Sequence, residues 1–174
     1  MPSPIGHALA GLSTAWASAP RAGRSLAIAG AILAAAPDVD VLFGDHRGST
    51  HSLGAIALVT VAAAAFAALR RLPIGRVASV CGLAYASHLL LDCLGRDTAA
   101  PYGMMILWPF STRYYSLGAN LFLEISRRYW RPEEFILGNL QSLLRELAIL
   151  LPITVLAYFV KTRRNTEYRR QKTE

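Results

Sequence analysis

The sequence predicts an all-α fold, a polytopic transmembrane bundle of about five helices with one extracytoplasmic amphipathic or loop segment. Three observations predict it. The chain is 53% hydrophobic and only 17% charged. Its mean hydropathy is positive, at +0.34. Its apolar runs approach the ~20 residues that cross a bilayer. A soluble helical bundle with an Ala-rich core is the competing reading, and the length of the runs weighs against it. With 174 residues the chain suits one domain.

The first apolar stretch, Ile5 to Ala19, is short and Ala-rich. The second, Leu26 to Ala36, continues past two aspartates into Val41-Leu42-Phe43. Ser52 to Leu69 carries no charge over about one bilayer crossing. Val77 to Leu91 is apolar apart from His88, and Leu147 to Val160 extends backward through Leu140. No basic region precedes the first stretch, so a cleaved signal peptide is not expected.

Residues 96–141 form the long extracytoplasmic segment. It holds Trp108-Pro109-Phe110-Ser111, then Arg113-Tyr114-Tyr115, then an amphipathic stretch from Leu117 to Trp130. Trp and Tyr favour the headgroup level of a bilayer. The segment either lies along the membrane surface or packs over the helix ends. Pro132 with Glu133 and Glu134 marks a helix start, and that helix runs on into the last span. The chain thus reads as a single domain, 1–174. Its motif-bearing core is 1–115, the amphipathic segment and last helix are 116–160, and the basic tail is 161–174.

Basic residues set the orientation. Arg21 and Arg24 lie between the first two helices. Arg70, Arg71 and Arg76 lie between the third and fourth. Lys161, Arg163, Arg164, Arg169, Arg170 and Lys172 follow the last. Short loops rich in Lys and Arg stay in the cytoplasm, so the N-terminus is expected outside and the C-terminus inside a bacterial inner membrane. The net charge of +7 is then a topology signal. Nucleic-acid binding is not expected, because a short juxtamembrane basic tail suits anionic lipid. Cys81 and Cys93 lie about 18 Å apart along one helix and cannot pair; they read as packing residues.

All four histidines precede residue 89, and each lies near aspartates at the end of an apolar segment. His7 opens the first segment, and Asp38 and Asp40 close the second. His46 and His51 precede the third, and His88 and Asp92 close the fourth. In the expected topology all seven fall at the extracytoplasmic helix ends. Imidazole and carboxylate are the usual ligands of zinc, manganese or iron. Ionisable groups at membrane depth are expensive and mark function.

His88 and Asp92 are spaced i, i+4 and share one helix face, a geometry for two ligands of one metal or one ligand on each of two. Asp38 and Asp40 would point about 200° apart on a regular helix, but Pro37 and Gly44 mark distortion there. One aspartate then binds metal while the other orients a histidine or a water; Asp38 is the candidate ligand. In His46-Arg47-Gly48-Ser49-Thr50-His51, Gly48 permits a tight turn and Arg47 offers a planar fork for phosphate or carboxylate. His51, opening the third helix, is placed as a ligand. His46 is a ligand, a general acid or a solvated loop residue. Asp40, His46 and Arg47 are the catalytic candidates. Arg47, Trp108 and Arg113 are the candidate substrate contacts. No nucleophile elbow or phosphate-binding glycine loop is present in the sequence, so the expected nucleophile is a water activated by metal.

His7 with Ala10-Gly11, Pro37-Asp38-Val39-Asp40, His46-Arg47-Gly48-Ser49-Thr50-His51-Ser52, Ser87-His88-Leu89-Leu90-Leu91-Asp92 and Trp108-Pro109-Phe110-Ser111 appear in that order. Together they resemble the LexA-regulated, membrane-bound metal-dependent hydrolase family across roughly residues 1–115. The resemblance implies a divalent-metal hydrolase and says little of the substrate. More distantly, the order is similar to the zinc-dependent phospholipase C and single-strand nuclease superfamily. That likeness implies His7, Asp38, His51, His88 and Asp92 as ligands. A later HxxxE pair is missing, so one or two ions are expected, zinc first and manganese or iron next.

The leading expectation is therefore a hydrolase acting on a phosphoester of a membrane lipid or lipid-like substrate at the extracytoplasmic face. An amide or ester substrate stays open, as does a non-enzymatic protein with a structural or sensory metal. The oligomeric state is not legible.

Overall fold

The computed structural model describes residues 2–43, 47–98, 100–126 and 128–173. Its five helices are α1 (Pro4–Ser18), α2 (Arg24–Ala35), α3 (Leu53–Leu69), α4 (Ile74–Leu94) and α5 (Pro132–Thr173). A 3₁₀ segment, Ala36–Phe43, prolongs α2. No strand occurs among the described residues. Three helical stretches are long and apolar enough to cross a membrane: Arg24–Phe43, Ile74–Leu94 and Phe135–Thr173. Helix α3 is a shorter apolar helix.

Helix α1 starts where Ser3 caps it, its Oγ accepting from Gly6 N at 3.1 Å, with Pro4 in the first turn. It is the hub, packed against α2, α4 and α5, while α3 leans on α4. Small residues let α1 and α2 approach closely: Gly11 and Ala15 face Gly30 and Ala34. Close backbone approach through small residues is how helices associate in lipid, where burial of apolar surface drives nothing. The core is accordingly Ala-rich, with Ala15, Ala34 and Ala84 fully buried. Large apolar side chains such as Ile32, Leu58, Val61, Leu156 and Phe159 point outward.

Helix α5 begins at Pro132 and continues without a break through the basic tail to Thr173. Pro152 lies inside it, and nearby Thr154 donates to Leu150 O at 2.8 Å while accepting from Ser13 Oγ at 2.9 Å. Neighbouring hydroxyls of this kind accommodate prolines in membrane helices. The α1–α2 turn rests on the far end of α5. Asn165 Nδ2 donates to Pro20 O at 3.0 Å, and Arg21 stacks over Tyr168 at 4.7 Å. The α3–α4 turn comes to the same end, where Ala67 and Val77 pack with Leu26. All three basic clusters therefore gather at one end of the bundle.

The segment expected to be extracytoplasmic is a loop. The described residues of 117–130 form no helix, and those of 96–131 run irregularly with isolated bridges at Gly95–Phe122 and Met104–Tyr115. Gly118 and Asn120 take left-handed backbone angles, with φ of 63° and 50°, which a right-handed helix cannot include. The amphipathic pattern reflects a chain pinned at one buried side chain. Phe122, 2% exposed, joins Ala10, Leu91 and Leu150 in the core.

The segment packs over the helix ends. Leu53 N and Gly54 N, unpaired donors of the first turn of α3, bond Ile106 O at 2.9 Å and Trp108 O at 3.1 Å. Leu121 N bonds Leu94 O at the end of α4, and Ser142 Oγ of α5 donates to Glu124 O.

Candidate metal centre

Four parts of the chain deliver five polar side chains to the same point. His7 comes from the first turn of α1, Asp38 from the 3₁₀ segment and His51 from just before α3. His88 and Asp92 come from the last two turns of α4. The three histidines are fully buried and Asp92 is nearly so. Asp38 keeps 17% of its side chain exposed.

The distances are those of groups around a shared centre. Asp92 lies 3.4 Å from His7 Nε2, 3.4 Å from His51 Nε2 and 3.2 Å from His88 Nε2. Asp38 lies 3.8 Å from the Nε2 atoms of the same three histidines. His7 stacks on His88 with ring centroids 3.8 Å apart. One donor atom from each of His7, Asp38, His88 and Asp92 falls within a 4.8 Å spread. A tetrahedral ion with bonds of ~2.0–2.1 Å separates its ligands by about 3.3 Å.

Hydrogen bonds fix the ring orientations. His88 Nδ1 faces Ala34 O at 2.7 Å and donates to it, leaving Nε2 bare toward the centre. His51 Nδ1 faces Asp40 Oδ2 at 3.1 Å. Asp40 is anchored in turn by Thr50 Oγ1 at 2.6 Å and by the backbone N–H of Arg47 at 3.1 Å. A carboxylate behind a histidine that faces a cation is the usual support of a metal ligand. With both Nδ1 positions so engaged, the Nε2 atoms of His51 and His88 face each other at 3.0 Å. Two lone pairs at that distance repel unless a proton or a metal cation lies between them. Burial lowers the basicity of His51, but the Asp38 and Asp40 carboxylates, then the charge of Asp92, outweigh it and raise its pKa to about 9. The field at this point favours positive charge.

The donor set fits a divalent metal. His7 Nδ1 and Nε2, Asp38 Oδ1 and both oxygens of Asp92 are buried without a hydrogen-bond partner. Each such orphan costs ~1–3 kcal/mol unless something satisfies it. Imidazole nitrogen with carboxylate oxygen suits zinc, manganese or iron.

Around this centre the other candidates are scattered. Arg47 takes a left-handed backbone angle, φ 67°, and pairs its guanidinium with Asp97. Trp108 packs on Gly54, one turn beyond His51. Arg113 is exposed and held locally by its backbone N–H on Ser111 Oγ at 3.2 Å. His46 lies outside the described residues.

Several supports were not read from the sequence. Glu146 of α5 is fully buried and receives Ser3 N at 2.7 Å and Ser3 Oγ at 2.5 Å, one turn ahead of His7. An acid abutting the apolar run Leu147 to Val160 was the available signal. Tyr85 OH donates to Thr50 O at 2.7 Å and steadies the His51 turn. Asp97, besides pairing with Arg47, accepts from Gly103 N.

The fold and the cluster define a helical membrane protein with a buried His/Asp centre at one end of its bundle. A family model for the YdjM inner membrane protein matches residues 1–166, and the chain belongs to that family. No curated protein and no solved structure matches the chain. The more distant likeness to the phospholipase C and nuclease superfamily thus finds no support.

Proposed function

We propose that this protein is a membrane-bound, metal-dependent hydrolase that cleaves a phosphoester of a lipid or lipid-like substrate. The observation that carries the reading is the convergence of His7, Asp38, His51, His88 and Asp92 with five buried polar atoms left unsatisfied. Their close spacing favours one ion over two, because two-metal sites hold their ions ~3.5–4 Å apart and need a wider ligand shell. When bound, a zinc, manganese or iron ion supplies Lewis acidity to a water and to a phosphoryl oxygen.

The chain's own groups have defined tasks in this reading. Ala34 O and Asp40 hold His88 and His51 with Nε2 toward the centre. Asp38, the most exposed of the five, is the carboxylate placed to take a proton from water. Arg47, held by Asp97 and joined through its N–H to Asp40, brings a cation suited to phosphate beside the centre. The exposed apolar residues Leu107 and Phe110 flank the same end and suit a substrate with a hydrocarbon tail.

A second reading, a structural or sensory metal clip, draws on the near-complete burial of the three histidines. Closed sites are structural and catalytic ones keep a position open. Metal analysis and turnover together separate the two. The wild-type protein, purified in detergent, is expected to hold one equivalent of metal and to hydrolyse a lipid phosphoester. His88→Ala and Asp38→Ala should each lose both while remaining folded in the membrane. Metal loss without any activity in the loaded wild type favours the clip. Turnover that persists after metal removal in the His88→Ala/Asp38→Ala double variant would sink the hydrolase reading.

A further inference from the structure

Helices α2 and α3 barely touch. Between them, floored by α4, lies an apolar cleft of about 660 Å³. Its walls are stripes at helical spacing: Leu26, Ala29 and Leu33 on α2, and Val59, Ala62 and Ala63 on α3. The room exists because three of these six are alanines. The volume falls in the ~300–1,000 Å³ range of ligand pockets.

Three features point to the occupant. First, the cleft runs along α2 from its N-cap Gly23 to Leu33, about 15 Å at 1.5 Å per residue. Half of a ~30 Å hydrocarbon core is about 15 Å, so the cleft is one leaflet deep. Second, its mouth lies at the end where the basic clusters gather, away from the His/Asp centre. Third, Arg76 lines that mouth, exposed and with no ion-pair partner among the described residues. Arg24 stands between Gly23 and Ser25, which also line it.

We propose that this cleft binds one anionic glycerophospholipid, with an acyl chain between α2 and α3 and its phosphate on Arg76. The site is separate from the metal centre and does not depend on the function proposed for it. The lipid wedges two helices that meet only at the Leu26–Ala67 end, and it reads the charge of the leaflet at the basic end.

Native mass spectrometry of the detergent-purified protein tests this with phosphatidylglycerol and phosphatidylcholine of identical chains. The wild type should retain one phosphatidylglycerol about fivefold or more over phosphatidylcholine, the contribution of one arginine at an anionic headgroup. Arg76→Gln should erase that preference. Ala62→Phe, at an exposed position on the cleft wall, should displace both lipids. Equal retention of the two lipids by the wild type overturns the proposal. So does undiminished phosphatidylglycerol binding in either variant. The melting temperature in detergent should stay within a few degrees of wild type, which shows that the variants are folded, and metal content measured on the same samples separates this result from the fate of the hydrolase reading.

Discussion

At the residue scale, the pair Asp38 and Asp40 shows how two carboxylates two positions apart take different work. They flank one imidazole from opposite sides, Asp38 near Nε2 of His51 and Asp40 at Nδ1. A regular α-helix would not permit this; the 3₁₀ winding after Pro37 does. Asp40→Asn keeps the shape and removes the charge behind His51. Metal affinity should fall about 10–100-fold, the usual loss when the partner of a ligand histidine is altered. Competition against a chelating dye reads this directly, and an unchanged affinity would remove Asp40 from the supporting role. That the two aspartates would take different positions was legible from Pro37 and the spacing. The role of Glu146 was not, because a single acid in a long helix says nothing about which distant segment it will meet.

At the element scale, the meeting of α1 and α2 decides whether the centre forms. A Cβ on Gly11 would stand 2.5 Å from both Ala34 Cβ and Gly30 O. The second of these is backbone and cannot step aside. Gly11→Ala should therefore destabilise the protein by about 1–3 kcal/mol, seen as a lower melting temperature in detergent. It should also weaken metal retention, since α2 carries the Ala34 carbonyl and leads into Asp38. Gly75→Ala, with nothing within 4 Å, is the neutral control, and equal melting of the two variants would refute the close-packing account. The five helices and the start of α5 at Pro132 were legible, because apolar length and proline position act locally. The irregular path of the described residues of 117–130 was not. Its amphipathic pattern comes from one buried anchor, Phe122, and the helix-ending effect of Gly118 and Asn120 depends on backbone angles that only the packed chain fixes.

At the scale of the whole molecule, the basic clusters and the His/Asp centre occupy opposite ends of the bundle. Loops rich in Lys and Arg remain cytoplasmic, so the centre is expected to face away from the cytoplasm. Labelling with a membrane-impermeant maleimide tests this in a Cys81→Ala, Cys93→Ala background. Thr112→Cys, exposed on the irregular segment, should be labelled from outside, and Arg164→Cys, exposed on the far end of α5, should be labelled only after permeabilisation. The reverse pattern would invert the orientation.

The clasp between Ser3 and Glu146 joins positions 143 residues apart. During synthesis the first turn of α1 leaves the ribosome long before its partner exists. The clasp on the turn that carries His7 can close only when the last helix has inserted. That clasp is therefore among the last of the contacts around the first turn of α1 to form. A protein shortened before residue 146 would keep all five cluster residues and still lack the latch that sets the first of them.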